Sequence, residues 1–166
     1  MKVILFAGAE IRDYSFCESY MDGADAVICC DAGMRHAKAL GIDPDYIVGD
    51  FDSAKPEILS FFRGKSGIQF LEFQPEKDET DTELALRLAI SLAPDEICVL
   101  GATGNRVDHV LGNIQLLCKP LAHHIPCMLV DPTNRIRLVD KQLTMQKADQ
   151  FGTYVSLLPL TTQAGG

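Results

Sequence analysis

Six aspartates fall just beyond apolar runs of the chain, and their grouping points to chemistry on a charged ligand. Asp31 follows the run at 26–30. Asp50 and Asp52 lie in Gly49-Asp50-Phe51-Asp52-Ser53, directly after 46–48. Asp78 and Asp81 follow 68–73 across a short loop, with Thr80 between them, and Asp108-His109 comes after the run at 96–100. Carboxylates crowded together are unfavourable unless protonated, well solvated or neutralised. A divalent cation is the economical neutraliser, and an all-oxygen donor set suits Mg²⁺, Mn²⁺ or Ca²⁺ better than zinc. An Asp-x-Asp pair can present both carboxylates to one ion. Mg²⁺ commonly completes its shell with waters and substrate phosphates, which is how an acidic protein can bind a polyphosphate.

The turn Gly101-Ala102-Thr103-Gly104-Asn105-Arg106 supplies a complementary part. Glycines let backbone approach a ligand closely, a following helix start offers free N–H groups to an anion, and Arg106 is suited to clamp phosphate oxygens. The turn is neither a P-loop nor a G-x-G-x-x-G. Each piece also has a plain structural role open to it. Asp31 fits a helix cap, Asp50 to Ser53 a turn, and Asp78 and Asp81 fit a helix start that favours acids. Arg106 fits an ion pair with Asp108 or a surface acid, and His109 a packed polar residue. Ser53 and Thr103 fit turn residues bonded to the backbone. His36, His123 and His124 read as surface or helix-end residues. What sets the aspartates and this turn apart is that they share one expected edge.

That edge comes from the elements that must position these residues. Apolar runs at 3–7, 26–30, 46–48, 68–73, 96–100 and 127–130 read as strands. Most lack strict in/out alternation, as in a sheet covered on both faces. Helical patterns fall between them at 12–21, 33–40, 56–63, 82–92 and 107–121. Thr80-Asp81-Thr82-Glu83 fits a capping box ahead of Leu84, Leu88 and Leu92, and Pro94 stops that helix. Strand–helix alternation predicts an α/β domain with a mainly parallel sheet, over residues 1–131. In such sheets ligands bind outside the carboxyl ends of the strands. After Asp131 the texture changes. Segments 135–140, 142–146 and 154–159 read as short strands of a separate, incomplete all-β unit over 132–166.

Composition bounds the rest. The 166 residues carry 15 Lys+Arg against 23 Asp+Glu, a net charge of −8. That balance argues against a protein that tracks nucleic-acid phosphates. No apolar run approaches the roughly 18 residues of a membrane helix. The N-terminal apolar stretch reads as a first buried strand rather than a signal peptide, so a cytoplasmic location is expected. Six cysteines include no C-x-x-C pair and read as free, mostly buried thiols. Cys29 and Cys30 are neighbours in one strand and so face opposite sides of the sheet.

Taken in order, the motifs resemble the thiamine pyrophosphokinase (thiamine diphosphokinase) family. They are Cys30-Asp31-Ala32-Gly33, then Asp43-Pro44-Asp45 leading to Gly49-Asp50-Phe51-Asp52-Ser53. Lys77-Asp78-Glu79-Thr80-Asp81-Thr82-Glu83 follows, then Gly101-Ala102-Thr103-Gly104-Asn105-Arg106-Val107-Asp108-His109 continuing to Asn113, and Ser156-Leu157-Leu158-Pro159-Leu160. The likeness runs over nearly the whole chain. One departure is Asn105, where many members have glycine; Asn accepts positive φ better than most residues. The resemblance implies a parallel-sheet, Rossmann-like N-terminal domain that binds Mg-ATP, followed by a β-sandwich that helps bind thiamine. It implies a homodimer with active sites between subunits, and the reaction ATP + thiamine → AMP + thiamine diphosphate. Family members run on for some tens of residues, so a shortened chain is expected, with an incomplete sandwich.

By the same resemblance Asp50, Asp52 and Asp81 are the catalytic acids, and with Asp108 the ligands of Mg²⁺. Asp31, Asp78, Thr80, Gly101, Thr103, Gly104, Arg106 and His109 are the expected nucleotide contacts. Two other readings remain open. One is a different Mg²⁺-dependent nucleotide transferase or phosphohydrolase. The other is a nucleotide- or thiamine-binding module without turnover.

Overall fold

Strands form here because each apolar run is short and has helices to cover it on both sides. The computed structural model describes residues 1–52, 54–73 and 79–161. β1 (Lys2–Phe6), β2 (Ala26–Cys30), β3 (Tyr46–Gly49), β4 (Gln69–Glu72), β5 (Glu96–Leu100) and β6 (Cys127–Val130) pair in parallel. β7 (Arg135–Ile136) adds antiparallel to β6. The order across the sheet is β4-β3-β2-β1-β5-β6-β7. The chain therefore winds outward from β1 in one direction, then returns to place β5 on its other side.

Among the described residues, the helices that cover the sheet are α1 (Cys17–Met21), α2 (Met34–Leu40), α3 (Pro56–Arg63), α4 (Asp81–Ser91), α5 (Val107–Leu116) and α6 (Cys118–Ala122). Alternate residues of each central strand feed opposite cores. Val3, Leu5, Ile28 and Val99 pack with Leu84, Ala85, Leu86 and Ala89 of α4. Ile4, Phe6, Cys29 and Leu100 pack with Met34 of α2 and Phe62 of α3. Fully burying one such side chain contributes roughly 1.5–3 kcal/mol, so the two faces together fix both the layering and the register. Cys29 and Cys30 lie in opposite cores, as their adjacency predicts. The six cysteines are free; Cys118 is exposed and Cys127 half-buried.

Several expected elements differ. The helix expected over 12–21 is only Cys17–Met21. Asp13 captures the preceding backbone by accepting from the Ser15 N–H (2.9 Å) and hydroxyl (2.8 Å). The helix expected over 107–121 breaks at Leu117 into α5 and α6. Pro120 has no N–H to donate, and its ring would clash with the carbonyl of Leu116 if the helix ran through. The strands expected at 142–146 and 154–159 do not form. A strand needs a ladder partner, and Tyr154 and Leu157 are instead each 90% exposed. β7, the one strand after Asp131 among the described residues, joins the α/β sheet itself. Among the described residues no helix is long and apolar enough to cross a membrane.

Candidate active site

The edge formed by the carboxyl ends of the strands gathers carboxylates from three separate elements. Asp31 opens a 3-10 turn (Asp31–Gly33) at the end of β2 and is buried. Asp50 follows β3 directly, and Asp81 begins α4. One oxygen of each lies within 4.8 Å of the others. Thr80 caps α4 by accepting from the Glu83 N–H (3.2 Å), and the helix N-terminus favours a charged Asp81. Glu83 in turn pairs with Lys119 (2.9 Å), which ties α4 to α6. Three carboxylates with no nitrogen or sulfur donor among them fit a hard cation such as Mg²⁺ or Mn²⁺.

The remaining expected site residues are arranged differently. Asp52 is exposed and lies outside that cluster; its N–H donates to the Asp50 carboxylate (3.1 Å). The intervening Phe51 has φ 63° and a buried ring, which sends its two neighbours in different directions. Asp108 is exposed on the first turn of α5 and is held by Arg106, Nε at 3.3 Å and Nη2 at 2.6 Å. The Arg106 guanidinium brings the Asp108 carboxyl down to about 2. Arg106, Asp108, Thr80 and His109 line one cleft with the Asp31–Asp50–Asp81 cluster. His109 is exposed. Asp78 and Ser53 lie outside the described residues.

The Gly101–Gly104 turn borders the same cleft, at the point where the sheet order reverses between β1 and β5. Its glycines are demanded by the protein itself. Gly101 has φ 68°, and a Cβ there would stand 2.9 Å from the Ala7 carbonyl oxygen; one on Gly104 would meet the Ala9 Cβ at 2.9 Å. The turn therefore rests on the loop after β1. Asn113 braces it by donating to the Ala102 carbonyl (2.7 Å). The Thr103 hydroxyl donates to Asp131 (2.7 Å) rather than standing free.

Asp131 and His36 are residues that sequence reasoning missed. Asp131 ends β6 on the same edge, so the rule that found the other acids could have found it. Burial pushes its carboxyl up, but hydrogen bonds from Thr103, Thr133 and Asn134 outweigh this and hold it below the usual range. His36, expected at the surface, is fully buried on α2. The Ala9 carbonyl 2.8 Å from Nε2 can only accept, so Nε2 carries the proton. Nδ1 then accepts from the Tyr14 hydroxyl at 2.8 Å. Both partners belong to the loop after β1, which lines the cleft and which the Ala9 N–H also ties to the Gly101 carbonyl (2.8 Å).

Burial, reinforced by the Arg35 charge, lowers the His36 imidazole to about 4, against an ordinary 6.5. The folded chain resists a proton that the unfolded chain takes up between those values. His36 therefore costs no stability above pH 6.5 and removes about 2 kcal/mol by pH 5. A urea-denaturation series from pH 7 to 5 is expected to slope downward, and His36→Gln to flatten it. Gln can still donate to Ala9 and accept from Tyr14 but does not titrate in this window. An equal slope in the variant would assign the pH dependence elsewhere.

The doubly wound sheet with its ligand-facing residues at the strand ends places the chain in the class of open α/β proteins that bind outside the carboxyl edge. Comparison with known proteins narrows the class. Residues 17–129 match the family model of the thiamin pyrophosphokinase catalytic domain. The chain belongs to the thiamine pyrophosphokinase family. It is 35% identical to the thiamine pyrophosphokinase of Bacillus subtilis (strain 168) over 142 residues, 86% of this chain and 66% of that protein. The crystal structure of the Bacillus subtilis thiamine pyrophosphokinase superposes with a TM-score of 0.73 at 33% identity, covering 82% of this chain and 64% of that one. A family protein from Enterococcus faecalis superposes with a TM-score of 0.69 at 30% identity, covering 82% and 64%. The chain thus spans about two thirds of the length of these relatives.

Proposed function

We propose that this chain carries the Mg-ATP-binding catalytic domain of a thiamine pyrophosphokinase and transfers the pyrophosphoryl group of ATP to thiamine. The observation that carries the reading is the convergence of Asp31, Asp50 and Asp81 from three elements onto one point. The thiamine alcohol oxygen bonds to the β-phosphorus of ATP. The bond from that phosphorus to the α–β bridging oxygen breaks, and AMP leaves with that oxygen. Such transfers are catalysed mainly by positioning and charge stabilisation. A bound Mg²⁺ would offset the charge of the phosphate oxygens.

The chain's own residues do the rest. Asp31, Asp50 and Asp81 would hold the cation, and Asp52 and Asp108 extend the acidic set from the rim. Arg106 exchanges its Asp108 partner for phosphate oxygens. Gly101, Thr103, Gly104, Thr80 and His109 contact the nucleotide, as does Asp78. Asp52 or Asp81 takes the alcohol proton late in the transfer. The cleft measures 1740 Å³. That exceeds the roughly 300–1,000 Å³ of a single small-molecule pocket, so it has room for two substrates. The segment beyond β7, which pairs with no strand among the described residues, is the part of the expected 132–166 unit left to join a β-sandwich that helps bind thiamine, and the active form is a cytoplasmic homodimer.

The test is incubation with ATP, Mg²⁺ and thiamine, with chromatographic separation of products. AMP and thiamine diphosphate in equal amounts are the expected result. ADP or free phosphate without thiamine diphosphate would instead identify another nucleotide-cleaving enzyme. Binding of Mg-ATP with no product would leave a nucleotide-binding module.

A further inference from the structure

We propose that Phe51 is a positioning residue for the carboxylate cluster, acting through Asp50. Its φ of 63° is one that a bulky aromatic side chain rarely adopts, and glycine or asparagine would hold it more easily. The ring explains why phenylalanine is there nonetheless. It is 9% exposed and packs on the face of the sheet covered by α3. It meets Phe70 of β4 edge to face, centroids 6.0 Å apart at 68°. The Arg63 guanidinium, from the last turn of α3, lies 5.8 Å from the Phe51 ring and 6.0 Å from Phe70, capping both.

Phe70 pairs in register with Ile47 of β3, so this seat is fixed by the sheet. With the ring seated and the backbone left-handed, the Asp52 N–H closes onto the Asp50 carboxylate (3.1 Å), whose oxygen lies within 4.8 Å of those of Asp31 and Asp81. Any other backbone conformation at Phe51 must either lift the ring out of its seat or turn Asp50 away. The ring and the carboxylate are thus two ends of one rigid turn, and the apolar end sets the polar one.

The inference rests on the metal-nucleotide reading above, and Mn²⁺ uptake by the full chain, measured by electron paramagnetic resonance, separates the two. Phe51→Gly relieves the backbone and removes the anchor. It is expected to weaken Mn²⁺ binding by about tenfold or more, the usual penalty when support behind a metal ligand is lost. Phe51→Leu, which refills the seat, is expected to restore most of it. Phe62→Leu, in the same apolar cluster but not among the ring partners of Phe51, is expected to lower the melting temperature and leave Mn²⁺ uptake unchanged. If Phe51→Gly does not fold, Arg63→Gln asks the same question from a half-exposed position and is expected to weaken uptake by about two- to fivefold. Uptake equal to the parent in a folded Phe51→Gly, or in Arg63→Gln where it stands in, overturns the proposal and leaves the metal reading intact. A parent chain that takes up no Mn²⁺ overturns both.

Discussion

Asp81→Asn is expected to lower formation of AMP and thiamine diphosphate by about 10³-fold or more while leaving the metal-free chain folded. The two halves have one cause. Asp81 shares a 4.8 Å space with Asp31 and Asp50, and each adds negative charge to the others' surroundings. Without a cation that charge is repulsive. One benefit is at the start of α4, where a helix N-terminus returns about 0.3–1 kcal/mol to an acid. Asparagine keeps the shape and the Thr80 cap and relieves two repulsions, against the loss of that return and of the carboxylate's other contacts, so the fold survives. In the Mg-ATP complex the sign reverses, because the charge is what holds the cation against the phosphates. Several kcal/mol of transition-state stabilisation correspond to the loss in rate. Turnover and thermal melting in chelator, measured on one preparation, check both halves. Near-parental turnover would remove Asp81 from the site. Lost turnover with a much lower melting temperature would make it a structural residue.

What the sequence made legible, and what it did not, divides along physical lines. The sheet was readable because burial on both faces leaves a local mark. Val3 and Leu5 enter one core, Ile4 and Phe6 the other, and all four are apolar. Asp31, Asp50 and Asp81 were then readable as edge residues because each follows a strand. The separation of Asp50 from Asp52 was not, since it depends on the sign of one dihedral angle at Phe51. His36 was hidden for another reason. Its partners lie 27 and 22 residues earlier in the chain, so nothing local says that its nitrogens are satisfied in the core. Beyond Ile136 the alternation of apolar residues is real, but a pattern specifies a strand only where a partner exists to pair with it.

Gly33→Ala is expected to be the most damaging alanine substitution among the described glycines, costing about 4 kcal/mol or more, against a usual domain stability of about 5–15 kcal/mol. Backbone freedom is not the reason. Gly33 has φ −68°, which alanine adopts readily. The obstacle is space: a Cβ there would overlap the Phe6 carbonyl oxygen and stand 2.8 Å from the Phe6 carbonyl carbon. Phe6 cannot yield, because it ends the central strand and pairs with Cys29 on one side and Leu100 on the other. Gly41→Ala is the informative comparison. Gly41 has φ 68°, and nothing lies within 4 Å of where its methyl would stand, so only the left-handed backbone resists, for about 1–2 kcal/mol. Urea denaturation of the two variants is expected to show Gly33→Ala as the costlier by a wide margin, or unable to give a cooperative transition. Equal costs would mean that β1 gives way to the methyl after all. The consequence reaches the site, because Gly33 closes the same three-residue turn that Asp31 opens. The close approach of that turn to β1 is what lets a buried carboxylate stand at the end of β2 beside Asp50 and Asp81.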